Sequence, residues 1–253
     1  MTQFVKTRRD GAVLEITLDR ADKKNALTGA MYDAMTLALS VANDEAGIGA
    51  VLFQGSGGVF TAGNDITDFL AHATSPQRGF GESPAMRFIK ALAGAQKPMI
   101  ACVDGIAIGI GTTMILHCDF TVASPRALFH TPFVDLGLVP EAGSSLLLPQ
   151  RIGPVKAAEM LMLGKKVDAE EALKIGLINE IVDTDNVAAH TLDLARAVAA
   201  KPRGAMLAAR RLMHGDKAKL LARIEEESRM FAEALQSDEA RTAFMNFMAR
   251  GKG

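Results

Sequence analysis

Residues 12–18, AVLEITL, alternate apolar and polar side chains, with Leu14, Ile16 and Leu18 on one face and Glu15 and Thr17 on the other. A period of two predicts a half-buried β-strand. Thr28 stands where a helix N-cap belongs, ahead of a run in which Met31, Met35, Leu39 and Ala42 share one stripe. That spacing predicts an amphipathic helix. AVLFQG (50–55) and PMIACV (98–103) are short, apolar and bounded by glycine or proline, which predicts buried strands. Between them, AHATSPQRGFGESPA (71–85) carries turn formers without a period, and predicts a mobile surface loop. A glycine-punctuated helical segment leads to two further strand candidates, CDFTVAS (118–124) and ALFH (127–130). From Asp168 the pattern is almost all helix: DAEEALKIG, NVAAHTLDLARAVAA, AMLAARRLMHG and KAKLLARIEEESRMFAEALQ precede a last helix starting near Ser237–Asp238.

These elements predict an α/β fold, in which strands and helices alternate over roughly the first 165 residues before a helical C-terminal extension. In the extension Leu221, Ile224, Met230, Phe231 and Leu235 present apolar surface that needs cover. Docking on the chain's own core and burial at a subunit interface both satisfy that need. With 253 residues and 49% hydrophobic content, the chain can bury a large core. A net charge of −1 with no charged tail speaks against a nucleic-acid partner. Cys102 and Cys118 lie in apolar runs, as small buried hydrophobes do in a reducing compartment. Neither they nor the scattered histidines have metal-site spacing, so no metal is expected. No run approaches the length of a membrane span. The start, MTQFVKTRRD, is too polar for a signal peptide, and the end, ARGKG, is no peroxisomal address. A cytoplasmic, membrane-free protein is expected.

Four segments could carry chemistry. In GIAIGIGTTM (105–114), Gly109 and Gly111 fall at a strand-to-helix turn, but Met114 replaces the third glycine of a dinucleotide fingerprint. What survives is a turn where a ligand can approach outward-pointing N–H groups. GGVFTAGNDITDF (57–69) is a second such turn, or simply a loop with Asp65 or Thr67 as a helix cap. Two donors converging on one carbonyl oxygen would form an oxyanion hole. His130 in FHTPF reads as a hydrogen-bonded core histidine or as a base. Glu141, in DLGLVPEAGSS (135–145), reads either as a first-turn carboxylate opposing a helix dipole or as a base among Leu136, Leu138, Val139, Leu146 and Leu147. The nucleophile signatures G-x-S-x-G and H-E-x-x-H are absent.

NAL (25–27), FTAGNDI (60–66), GIAIGIG (105–111), HTPFVDLGLVPEAGSS (130–145) and EMLMLGKKVDAEEALKIGLINEIV (159–182) together resemble the crotonase family of acyl-CoA enzymes. The resemblance covers nearly the whole chain. It implies a spiral of ββα units carrying the coenzyme A site over residues 1–190, and a helical trimerisation region over 191–253. It also implies a coenzyme A thioester substrate, with no separate cofactor, and a homotrimer or a dimer of trimers. By motif position, the N–H groups of Asn64 and Ile110 would hold the thioester oxygen. Isoleucine replaces a common glycine at 110; it keeps the N–H while adding a side chain to the pocket. Lys24 would lie near the coenzyme phosphates, and Ala62, Asp65 and Ile66 along the adenine end. The two hydratase glutamates of the family correspond to Thr113 and Phe133, neither of which can activate water. Glu141 remains, as in the family's Δ3,Δ2-enoyl-CoA isomerases of the peroxisomal kind, with Phe133, Leu136 and Thr113 lining the acyl pocket. The resemblance implies isomerisation of 3-enoyl-CoA to trans-2-enoyl-CoA. Hydration or other CoA-enolate chemistry is the alternative, followed by a non-catalytic acyl-CoA-binding homologue.

Overall fold

The computed structural model describes residues 2–68 and 80–250. Its main sheet has six strands: β1 (Val5–Asp10), β2 (Val13–Leu18), β3 (Ala50–Gly55), β4 (Met99–Val103), β6 (Phe120–Ala123) and β9 (Glu180–Ile181), in that spatial order. β1 and β2 form an antiparallel hairpin, and every later neighbour runs parallel. A second sheet joins β5 (Ile106–Ile108), β7 (Leu128–His130) and β8 (Val167–Asp168). The family fold of repeated strand–strand–helix units with a helical C-terminal region is the one observed.

Alternation within the parallel strands feeds two cores. Leu14, Ile16, Val51, Phe53, Met99 and Ala101 face the main core with helix α1 (Gly29–Asp44). Val13, Leu52, Ile100 and Cys102 face a smaller one. Parallel strands covered on both faces account for the uninterrupted apolar runs of β3 and β4. The predicted Thr28 cap is present, since its side chain accepts the Met31 N–H, and the stripe from Met31 to Ala42 is buried. Both cysteines are buried, and burial pushes their thiols up to about 11 for Cys102 and about 12 for Cys118. They remain protonated and inert.

The structure departs from the sequence pattern in several places. β1, VKTRRD, has no apolar period because it is an exposed edge strand, where charge deters further pairing. β2 is not half-buried: Glu15 is covered as well, its carboxylate taking hydrogen bonds from Arg8 and Gln54. Of the span read as a loop, 71–79 lie outside the described residues. Phe80–Glu82 form a 3-10 turn, and Ser83 caps helix α2 (Pro84–Gly94), with Pro84 in its first turn. Ser-Pro is a helix-start signal, and the buried Met86, Ile89 and Leu92 keep helical spacing just past the span read as a loop. The strands β8 and β9, two residues each, interrupt the helical tail. Position 190 falls inside helix α7 (Val187–Ala199), whose Val187, Ala195 and Val198 pack in the smaller core. Among the described residues no helix is long and apolar enough to cross a membrane.

The NAL segment is the corner that ties the hairpin to α1 and to the turn after β3. Lys24 and Asn25 both have left-handed backbone, with φ of 51° and 53°. Asn25 is fully buried; its side-chain oxygen accepts the Arg20 N–H at 2.7 Å, and its amide donates to the carbonyls of Ser56 (3.0 Å) and Val59 (2.7 Å). Its own carbonyl accepts the Thr61 hydroxyl at 2.7 Å. The corner therefore positions residues 61–65 against the start of α1. Asn25→Ala strips partners from three part-buried backbone groups and is expected to cost about 1–3 kcal/mol. Urea unfolding checks this: the midpoint should fall at unchanged slope, and a midpoint equal to wild type would deny the corner its role.

Candidate active site

Two glycine turns meet in register. The chain pairs Thr61 with Ala107 as a parallel bridge, through Thr61 N–H to Ile106 (2.9 Å) and Ile108 N–H to Thr61 (3.0 Å). Asn64 and Ile110 each lie three residues beyond that bridge, Asn64 where the chain pairs with Leu27 and Ile110 at the start of a helix. Gly63, at φ +87°, makes the approach possible: a Cβ there would sit 2.8 Å from the Ile108 carbonyl oxygen. Gly109, at φ +56°, precedes helix α3 (Ile110–Met114), whose first N–H has no intrahelical acceptor. Among the described residues, the N–H groups of Asn64 and Ile110 hydrogen-bond to nothing. The Asn64 side chain is held instead by Tyr32 of α1, whose hydroxyl donates to its oxygen at 2.5 Å.

Glu141 faces the far end of α3. The Thr113 hydroxyl donates to Glu141 Oε1 at 2.5 Å, and the carboxyl is only 6% exposed. Burial pushes its pKa up to about 8; the Thr113 bond opposes this, and the negative charge of Glu227 adds to it. The field of Glu141 reaches Tyr32, whose phenol is raised by burial first and by this carboxylate next. Phe133 and Ile110 belong to the surrounding core, with Leu136, Val139 and Ile66 packed against it. A carboxyl in this setting holds a proton at neutral pH and can both accept and return one.

The helix-start reading of Glu141 is corrected by its position. Helix α4 (Ser144–Ile152) begins after Gly143 and has no acidic residue in its first turn. Its opening N–H groups are taken by Glu227, from helix α9 (Lys217–Leu235): Gly143 donates at 2.6 Å and Ser145 at 3.0 Å. Just before them, Ala142 adopts a left-handed φ of +58°, unfavourable for a residue with a Cβ. Its carbonyl accepts from His117 Nε2 at 2.7 Å, and burial lowers that histidine to about 4, leaving it neutral.

The residues expected to hold coenzyme A share one corner. Lys24 is exposed and its carbonyl accepts the Ala62 N–H at 2.9 Å, while Leu27 accepts from Asp65 at 2.9 Å. The Asp65 carboxylate is already engaged, by Arg20 at 2.7 Å and by the Asp68 N–H at 3.1 Å. Arg20 holds it below the usual carboxylate range against the opposing effect of burial. Asp65 thus caps the following turn, as the alternative reading had it. His130 is half-buried beside Gly164, Lys166 and Asp135, and makes no bond to Glu141. A cavity of about 880 Å³ opens elsewhere, between the end of α2 and α4, with Leu92, Leu147, Gln150 and Arg210 in its wall but not Glu141, Asn64 or Ile110.

Sequence reasoning missed Tyr32, His117 and Glu227. Tyr32, the chain's single tyrosine, lies on the same buried side of α1 as Met31, Met35 and Leu39. Glu227 stands at helical spacing between Ile224 and Phe231, a carboxylate on an apolar face. That misplacement was the available signal. Nothing local marked His117.

Residues 8–253 match the enoyl-CoA hydratase/isomerase family. The enoyl-CoA delta isomerase 2 of Rattus norvegicus is 35% identical over 244 residues; the match takes in 95% of this chain and 62% of that protein. The chain therefore spans less than two thirds of that relative's length. The crystal structure of an enoyl-CoA hydratase/isomerase from Pseudoalteromonas atlantica T6c superposes with a TM-score of 0.93 at 36% identity, covering 98% of each chain. That of an enoyl-CoA hydratase from Mycobacterium marinum gives 0.77 at 38% identity, over 83% of this chain and 98% of that one.

A carboxyl whose pKa is higher in the folded than in the unfolded chain favours the fold while protonated. That contribution is complete below about 4.5 and declines as pH rises toward about 8. Glu141→Gln lacks the penalty, so its melting temperature relative to wild type should rise between pH 4.5 and 8 and level off above. A difference independent of pH would contradict the burial of this acid.

Proposed function

The chain belongs to the enoyl-CoA hydratase/isomerase family, and we propose that it isomerises 3-enoyl-CoA thioesters to trans-2-enoyl-CoA, with Glu141 as its one acid–base group. The observation that carries this reading is the environment of Glu141. It is a buried carboxyl with raised proton affinity, held by Thr113 and accompanied in the core by Phe133, the two residues that stand where the resemblance would place hydratase glutamates.

In this mechanism the thioester oxygen accepts the unpaired N–H groups of Asn64 and Ile110. The fraction of Glu141 that is ionised removes a proton from C2, and the electron pair moves through C1 onto the oxygen, giving a dienolate. The two N–H groups stabilise that charge where it develops. As the C1=O bond re-forms, the C2=C3 double bond forms and C4 takes the proton from Glu141. No water enters the balance, so Ile110, Phe133 and Leu136 serve by excluding it. Lys24, exposed at the corner, would meet the coenzyme phosphates; Ala62, Asp65 and Ile66 would offer backbone and apolar surface to the adenine.

The identity to a hydratase from Mycobacterium marinum favours hydration of 2-enoyl-CoA as the second reading. Purified protein assayed with 3-hexenoyl-CoA and 2-hexenoyl-CoA in parallel separates the two. The first should give conjugated product, and Glu141→Gln should lose about 10²–10⁴ of that rate. Efficient hydration of the 2-enoyl substrate with the 3-enoyl substrate untouched would refute the isomerase reading. A Glu141→Gln enzyme with full rate would refute the base. Turnover of neither substrate would point to a binding protein.

We infer further that the chain assembles as a trimer or a pair of trimers. Leu163, Leu212 and Met213 are 75%, 80% and 83% exposed in the single chain, and such apolar surface favours cover by another subunit. Light scattering after size exclusion should give three or six times the 26.8 kDa chain mass; a monomer would contradict this.

A further inference from the structure

We propose that Glu227 is a positioning residue for this site: its carboxylate clamps the 141–145 loop through three donors, holds Glu141 against Thr113, and keeps a second negative charge beside the base. The inference rests on the reading of Glu141 as that base, and extends the site to a helix 86 positions away in sequence, where no motif points.

The geometry defines how Glu227 holds the loop. Oε2 accepts the Gly143 N–H at 2.6 Å; Oε1 accepts the Ser145 N–H at 3.0 Å and the Ser145 hydroxyl at 2.5 Å. Both oxygens face donors only, so the group acts as an ionised acceptor. It is nonetheless buried, and burial raises its proton affinity against those bonds. The loop it grips needs gripping. Ala142 and Gly143 are both left-handed, and the Ala142 carbonyl is fixed by neutral His117. Strained backbone persists only where its surroundings over-determine it. Here the two anchors hold the segment that leads out of Glu141.

The neighbouring charges leave Glu227 and Glu141 coupled. Arg223, on α9 itself, is the cation acting on Glu227; it reaches the Ser145 hydroxyl at 3.3 Å and pairs with Glu226 at 3.1 Å. From α2, Lys90 approaches Glu225, not Glu227. In the last helix, α10 (Asp238–Arg250), Asp238 and Arg241 pair with each other. Across the loop stands Glu141, whose side chain is bonded by the Thr113 hydroxyl. Glu227 grips the backbone two residues from Glu141, and its negative charge raises the proton affinity of that carboxyl; three donors favour the charge on Glu227, where Glu141 has a single hydroxyl. Glu227 therefore contributes to catalysis without touching substrate.

The test is Glu227→Gln, read by carboxyl ¹³C titration of glutamate-labelled protein, with the Glu141 resonance assigned from Glu141→Gln. The titration midpoint of Glu141 should fall by about one pH unit in Glu227→Gln. Amide exchange at Gly143 and Ser145 should accelerate at least tenfold, and kcat for 3-hexenoyl-CoA should drop at least tenfold with KM within twofold. An unmoved Glu141 midpoint overturns the proposal, even if the variant is less stable, because a purely structural residue would change stability alone. A moved midpoint in a protein that does not isomerise 3-enoyl-CoA leaves the coupling standing and overturns the functional reading instead. Should Glu227→Gln fail to fold, Glu227→Asp keeps the charge but shortens the reach. Exchange at Gly143 and Ser145 should then accelerate while Glu141 titrates as in wild type, and unchanged exchange overturns the clamp.

Discussion

Ionising Glu141 where it stands is costly, and the arrangement around it reflects that cost. Among the described residues no basic side chain pairs with it, and a single hydroxyl, that of Thr113, solvates it. A carboxylate so placed loses most of its hydration, and its pKa climbs into the range where proton affinity suits exchange with carbon at neutral pH. A lysine or arginine beside it would stabilise the anion and weaken it as a base. The apolar wall that raises its pKa is the same wall that, in the proposed isomerisation, would exclude water from a dienolate, so one physical feature would serve acid–base strength and selectivity together.

Placing the base depends on elements far apart in sequence. The β-strand hairpin, through Asn25, sets residues 61–65, and the Thr61–Ala107 bridge joins the segment of Asn64 to that of Ile110. Thr113 follows Ile110 on the same short helix, so one of the proposed oxyanion donors and the partner of the base share a rigid element. The loop bearing Glu141 is the exception, a left-handed turn that would not hold its own shape. His117 and Glu227 supply what local sequence does not. The helical C-terminal region thereby acts on the site as well as packing on the core.

The legible parts of the fold were those whose signal is local. Periodicity revealed β2 and α1, bounded apolar runs revealed β3 and β4, and Thr28 was evident as a cap because its side chain needs only the next turn. β1 escaped because an edge strand needs charge more than pattern, and β8 and β9 because two residues carry no period. At the site, Glu141 stood out in the sequence and Thr113 through the resemblance, yet their contact did not, since it spans 28 positions. Resemblance suggested the roles proposed for Asn64 and Ile110; the structure adds that both lie three residues past the Thr61–Ala107 bridge. For Asp65 the structure bears out the capping alternative, its side chain serving Arg20 and a turn. Glu227 was out of reach because its donors are chosen by tertiary packing.

A single buried carboxyl acting as both base and acid would remove a proton and return it to the same substrate. Isomerisation of 3-hexenoyl-CoA deuterated at C2, in ordinary water, with the product analysed for label at C4, reads that transfer directly. A single shielded base predicts that a substantial share of product molecules carries deuterium at C4, because transfer competes with exchange. Product with no deuterium at C4, at any stage of turnover, would mean that the proton passes through solvent or that a different group delivers it, and would contradict Glu141 as the shielded carrier.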